Sequence, residues 1–199
     1  MWSKQINANS VSAMFPAAPD LVIVFGPTDR LADCTLIDRL AHRYDTAMIV
    51  GCSSGTMVEG DRLDDDGVVI LGMGFDRTEL RLAVQPLPSS GLSFSAGAAL
   101  GKELGGDGLS GIFVLSNGLN VNGSALVAGL RTVIGDHVAL SGGLAGDGAR
   151  FADTRILARG EQAGVWERRR VAVDQEPKPP LGAIARGHGY VRRGPCDPQ

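Results

Sequence analysis

The feature that most constrains this chain is an internal echo. Leu21-Val-Ile-Val-Phe25 is followed by a Gly turn, an apolar-periodic segment and then Ala47-Met-Ile-Val-Gly-Cys-Ser-Ser-Gly55. Gly111-Ile-Phe-Val-Leu115 is followed by the same succession and ends in Val138-Ala-Leu-Ser-Gly-Gly-Leu-Ala-Gly146. Phe25 and Leu115 are 90 positions apart, and Gly55 and Gly146 are 91 apart. A continuous apolar run bounded by turns is the pattern of a strand covered on both faces. Leu31, Leu36, Ile37, Leu40 and Ala41 in the first copy fall at helical spacing, as do Leu126, Val127, Leu130 and Val133 in the second. A helix between two parallel strands makes a right-handed crossover. The expected fold is α/β: two pseudo-repeated β-α-β units with Gly-rich turns and added hairpin strands, their helices packed on central sheets.

The rest of the chain is read around these units. Met1 to Pro19 is expected to be a flexible lead, and 20–160 a single α/β domain. Val68 to Phe75 and Thr78 to Gln85 flank Asp76-Arg77 and predict a hairpin, the second strand alternating Leu80, Leu82 and Val84 with Glu79, Arg81 and Ala83. Ser93 to Leu104 predicts a helix with a small face of Ala96, Gly97, Ala98, Ala99 and Gly101, suited to close packing on a sheet at a cost of about 1 kcal/mol per interior Gly. Thr154 to Ala158 predicts a strand after the second turn. Residues 161–199 depart from the repeat: Arg168-Arg169-Arg170, Pro177, Pro179-Pro180 and Arg192-Arg193 replace the apolar pattern. They are read as an atypical Arg/Pro-rich tail, with a truncated or frame-shifted reading frame as one expectation.

Composition excludes several classes. A net charge of -3 offers no footprint for nucleic acid or an anionic membrane. No apolar run reaches membrane-spanning length, and the first residues lack a basic start followed by an apolar core, so a cytoplasmic location is the default. Hydrophobic residues at 44% with only 5% aromatics and 28 glycines describe a core of Val, Leu, Ile and Ala with many tight turns. The three cysteines, Cys34, Cys52 and Cys196, make no disulfide framework, and their scatter argues against a metal site. The acids from Glu59 to Asp66 lack the spacing of a calcium loop. Gly72-Met73-Gly74 lies within a strand with no helix after it, so it is no dinucleotide fingerprint. No cofactor is implied.

Three segments remain as ligand candidates. Gly51, Cys52, Ser53, Ser54 and Gly55 combine glycines that let a backbone approach a ligand with small polar side chains; exposed N–H groups in such turns suit carboxylates or phosphates. The alternative is a tight turn, small because a neighbour is close. Gly142, Gly143 and Asp147 form the matching segment, in which Asp147 could meet an ammonium group or merely cap a turn. Asn117 and Asn120 lie where a strand gives way to a helix, the place where open α/β sheets hold ligands and also where Asn commonly caps. Cys52 is a conceivable nucleophile, but that needs a base close in space, and neither His42 nor His137 sits in a recognisable motif.

Val22-Ile-Val-Phe-Gly26, Val50-Gly-Cys-Ser-Ser-Gly55, Phe113-Val-Leu-Ser-Asn-Gly-Leu-Asn120 and Ser141-Gly-Gly-Leu-Ala-Gly-Asp147, in this order and spacing, resemble the FIST N-terminal domain, a family named for F-box and intracellular signal transduction proteins. The resemblance covers roughly Asp20 to Arg159. It implies an intracellular, bacterial sensory domain associated with chemoreceptors, histidine kinases and cyclic-dinucleotide enzymes, with amino acids proposed as ligands and no established catalytic activity. The family normally continues into a FIST C-terminal domain, which this sequence lacks, so such a domain or a signalling protein would act in trans.

The leading expectation is therefore a sensory domain that binds a small polar ligand, an amino acid among the candidates, without chemistry. A Cys- or Ser-dependent hydrolase is the second reading, and a partner-docking module with no small ligand is the third.

Overall fold

The computed structural model describes residues 1–7, 15–32 and 34–159. Chain order is β1 (Trp2–Asn7), β2 (Leu21–Gly26), α1 (Thr28–Ala32), α2 (Cys34–Arg43), β3 (Met48–Ser53), β4 (Met57–Glu59), β5 (Arg62–Asp64), β6 (Val69–Gly74), α3 (Ser93–Leu104), β7 (Gly111–Ser116), α4 (Gly123–Ile134), β8 (Ala139–Leu144) and β9 (Ile156–Arg159). The protein is mixed α/β, with a central mixed sheet of five strands ordered β1-β6-β2-β3-β9 and smaller pairs β4-β5 and β7-β8.

Both expected β-α-β segments form parallel pairs, and the two have the same register. Leu21 faces Met48 and Gly26 faces Ser53 in one; Gly111 faces Ala139 and Ser116 faces Leu144 in the other. The apolar run of β2 is central, held between β6 and β3, with Val22, Ile23 and Val24 all buried. Leu31, Leu40 and Ala41 of α1 and α2 pack on Val22, Val24, Ile49 and Ile70 to make the first core. Ile112 of β7, Leu130 and Ile134 of α4 and Val138 make the second, with Leu100 and Leu104 of α3 against it.

Three expectations are corrected. The lead supplies β1, which pairs antiparallel with β6 from Trp2↔Gly74 to Asn7↔Val69. The hairpin expected over 68–85 does not form: β6 already has β1 on one edge and β2 on the other, so 78–85 finds no free edge of β6 and runs as a strap without a ladder. The hairpin that does form is β4-β5, inside the acidic loop. The small face of α3 packs on another helix rather than on a sheet: a Cβ on Gly97 would strike the Leu126 carbonyl, and one on Gly129 of α4 would strike the Phe94 carbonyl. The strand expected over 154–158 is β9, antiparallel to β3, so chain that follows the second unit completes the sheet of the first. The tail reading for 161–199 lies outside the described residues.

Candidate functional site

The carboxyl ends of β2, β3, β7 and β8 carry the residues singled out from the sequence, and the fold brings several of them into one junction. The Gly146 N–H donates to the Ser53 carbonyl (2.8 Å). A Cβ on Gly55 would lie 2.8 Å from the Gly148 Cα, so the two glycine-bearing turns are in backbone contact. Asp147 stands at the centre with 2% side-chain exposure. Its Oδ1 accepts from the Thr28 hydroxyl (2.8 Å) and from Arg150 (2.6 Å). Its Oδ2 accepts the N–H groups of Asp153 (3.0 Å) and Ala152 (3.2 Å). Burial by itself would raise the Asp147 pKa; the hydrogen bonds from Asp153, Thr28, Ala152 and Arg150 outweigh it and hold the carboxyl below the ordinary aspartate range. With four donors supplied from within the chain, this carboxylate is a staple between the units, and an incoming ammonium would have to displace them.

The glycine segments are strand for half their length. Gly51, Cys52 and Ser53 belong to β3, and Gly142 and Gly143 to β8. Gly51 faces Val24 and Gly142 faces Val114, and at both positions a Cβ would run into that valine's carbonyl oxygen. These glycines are small because a neighbouring backbone is close. Gly143 is exposed with open space around its Cα, and Ser54 turns its hydroxyl onto the Thr56 carbonyl (2.9 Å). Ser53 is 1% exposed and tied to Arg155, whose N–H it accepts (2.9 Å). Cys52 is a buried free thiol whose pKa burial pushes up to about 11. Thiolate is therefore scarce at neutral pH, and His42 and His137 are both on the surface.

Asn117 and Asn120 separate. Asn120 is exposed. Asn117 is 3% exposed, and its Oδ1 accepts from the N–H groups of Leu119 (2.7 Å) and Asn120 (3.1 Å). Its Nδ2 is buried without a partner. An unpaired buried donor costs about 1–3 kcal/mol; Asp153 Oδ1 is likewise buried without a partner. Asn117 lines a cavity of about 120 Å³ between β7, α3, the strap and the face of the main sheet away from α2. Val50, Leu82, Val84, Ala96, Leu126 and Ile156 are among its walls. A wider open groove of about 410 Å³ lies at the other ends of β2 and β3, bounded by Asp20, Thr46, Asp76, Arg77 and Glu79.

Thr28, Arg150, Thr154 and Arg155 complete the junction without having been singled out. Thr28 is the first residue of α1, and its hydroxyl reaches 119 positions along the chain. Thr154 is 2% exposed and accepts the Gly118 N–H (3.3 Å). No local pattern announces either partner. Among the described residues no group of His, Cys, Asp and Glu could hold a metal ion, and no helix is long and apolar enough to cross a membrane.

The family model described as the FIST N domain matches residues 20–173. No curated protein and no solved structure matches the chain.

Proposed function

The chain belongs to the FIST N domain family, and from that premise we propose that it is a cytoplasmic sensory domain for signal transduction which binds a small ligand bearing a polar group and performs no chemistry on it. The observation that carries this reading is Asn117: a buried side chain fixed on one side by two N–H donors, with its own donor unused beside a cavity at the carboxyl end of β7. Ligands of α/β sheets gather at that end of the strands. The buried, high-pKa thiol of Cys52 supports recognition over hydrolysis. Amino acids are the ligand class the resemblance suggests. A FIST C-terminal domain or a signalling protein would read the change in population that binding causes.

A thermal-shift screen of the purified chain against amino acids, small carboxylates and small neutral molecules tests the reading. A ligand that binds only the folded state raises the midpoint by mass action, by about 2.7 kcal/mol of stability at a hundredfold excess over Kd. Ala96→Leu, which fills the cavity, should remove the response while Cys52→Ala keeps it. A cooperative transition that no compound moves would favour the docking-module reading instead.

A further inference from the structure

Among the described residues β7 and β8 pair only with each other, so the second unit is a sheet of two parallel strands. So small a sheet needs a further strand or a covering element, and α4 covers one face through Leu130 and Ile134. The outer edge of β8 has no partner among the described residues. All of β8 but Leu140 is exposed, and Gly143 has open space around its Cα. The first unit shows what this position takes: β3, the counterpart of β8, carries β9 antiparallel on that edge.

Hydrogen bonds tell which groups of β8 face outward. The Ala139 N–H donates to the Ser110 carbonyl (3.0 Å) and the Ala145 N–H to the Ser116 carbonyl (2.7 Å). Alternate residues of a strand turn their N–H and C=O groups to opposite sides. Ala139, Ser141 and Gly143 therefore serve β7, while Leu140, Gly142 and Leu144 turn theirs to the free edge. The first unit follows the same rule: Met48 and Ser54 donate to the Asp20 and Gly26 carbonyls at the ends of β2, and Ser53, the counterpart of Leu144, donates outward to the Arg155 carbonyl (2.9 Å).

The segment Ala139-Leu-Ser-Gly-Gly-Leu-Ala145 reads nearly the same in both directions. Two copies laid antiparallel with Gly142 on a two-fold axis set Leu140 opposite Leu144 of the second copy, and Leu144 opposite its Leu140. The three outward residues then exchange N–H···O bonds as antiparallel hydrogen-bonded pairs. Leu144, 51% exposed, comes against a Leu140 that already packs on the second core. Natural edge strands are blunted by Lys, Pro or other charges. The outermost strands of the main sheet carry Lys4 and Arg159, whereas Val138 to Gly146 holds neither charge nor proline.

We propose that β8 is a homodimerisation edge: a second copy of this chain adds its own β8 antiparallel, giving a four-stranded sheet β7-β8-β8-β7 with the same surface used by both copies. The proposal stands apart from the ligand reading. One short edge makes an interface at the small end of specific ones, so the dimer dissociates on dilution.

Sedimentation velocity of the full chain over a dilution series, with amide exchange on β8, tests it. Dimer should form as concentration rises from micromolar to near-millimolar, and the Leu140, Gly142 and Leu144 amides should gain protection with it. Ser141 is exposed and, in this register, lies diagonally across the axis from Ser141 of the second copy. Ser141→Glu and Ser141→Lys should each weaken dimerisation about tenfold through like-charge repulsion, and an equimolar mixture of the two should recover it. Should either variant lose its thermal transition, Leu144→Lys replaces it: its side chain is exposed in the monomer and would set an ammonium group against Leu140 of the second copy. A chain that stays monomeric at every concentration would overturn the proposal, and protected β8 amides in that monomer would give the edge to residues of the same chain. Dimer that none of the three variants weakens would place the interface elsewhere and overturn it too. Weakening by Glu and Lys without recovery in the mixture would overturn the two-fold pairing of β8.

Discussion

Gly51 and Gly142 show what a glycine in a ligand-like motif can be for. Each faces a valine carbonyl of the paired strand with no room for a Cβ, and Gly142 also has φ 140°, a conformation that L side chains rarely adopt. Gly51→Ala and Gly142→Ala should each cost about 1–3 kcal/mol or more through overpacking, read as a fall in urea midpoint. Gly143→Ala, with open space at its Cα, should stay within about 0.5 kcal/mol of the parent. Asp147 makes a second prediction. Its folded-state pKa is depressed, so its contribution to stability is present in full above the unfolded value of about 3.9 and is lost as pH falls through the folded value. Asp147→Asn should lower stability by about 2–4 kcal/mol at neutral pH, since hydrogen bonds to a charged group are lost and a buried NH2 is turned toward donors. It should also flatten the fall in stability on acidification below about pH 4. Equal acid sensitivity in the two proteins would show that other carboxylates set the profile.

At the scale of elements, the pairing of α3 with α4 depends on reciprocal glycines. Gly97 lies against the Leu126 carbonyl and Gly129 against the Phe94 carbonyl, so the helices touch backbone to backbone. Gly97→Val should force them apart and cost about 1–3 kcal/mol, with loss of amide protection in α4 by hydrogen exchange; unchanged protection would mean that the helices can slide to absorb the bulk. The same segment shows what pattern alone misses. The small stripe of α3 was visible in the sequence, but whether a helix or a sheet would press on it was not. The strap over 78–85 has the alternation of a strand in sequence but not in burial: Leu82, Ala83, Val84 and Gln85 are all half-buried and line the cavity. Strand propensity became strap because β1 and β2 occupy both edges of β6. A ladder is a property of two segments, and periodicity describes one.

Taken as a whole, the molecule is two parallel-strand units joined at their carboxyl ends and laced by β9. Ser54 donates to the Gly26 carbonyl (2.9 Å) in one unit and Ala145 donates to the Ser116 carbonyl (2.7 Å) in the other, so the strand ends are built alike. Thr28 to Asp147 and Gly146 to Ser53 then connect them across more than 90 positions. Gly55→Ala, whose Cβ would crowd Gly148, should loosen this joint. The expected sign is faster amide exchange at Ser53–Thr56 and Gly146–Gly148 together, because the two segments share one contact. Exchange rising in only one of them would show that the turns open independently.

The sequence by itself determined what depends on neighbours in the chain. Apolar runs bounded by turns specify β2, β3, β7 and β8, helical spacing specifies α2 and α4, and four motifs in register specify the family. Gly51, Gly142 and Asp147 were legible as special positions, since glycine and an acid amid apolar strands need a reason. The tertiary structure alone decided what the reason is. That Asp147 reaches Thr28, that Gly51 lies against the Val24 carbonyl and that Asn117 Nδ2 is left without a partner depend on atoms far away along the chain. Burial and pairing belong to the assembled interior, where a polar atom's partners are set by packing, and only there does Asn117 become distinguishable from Asn120.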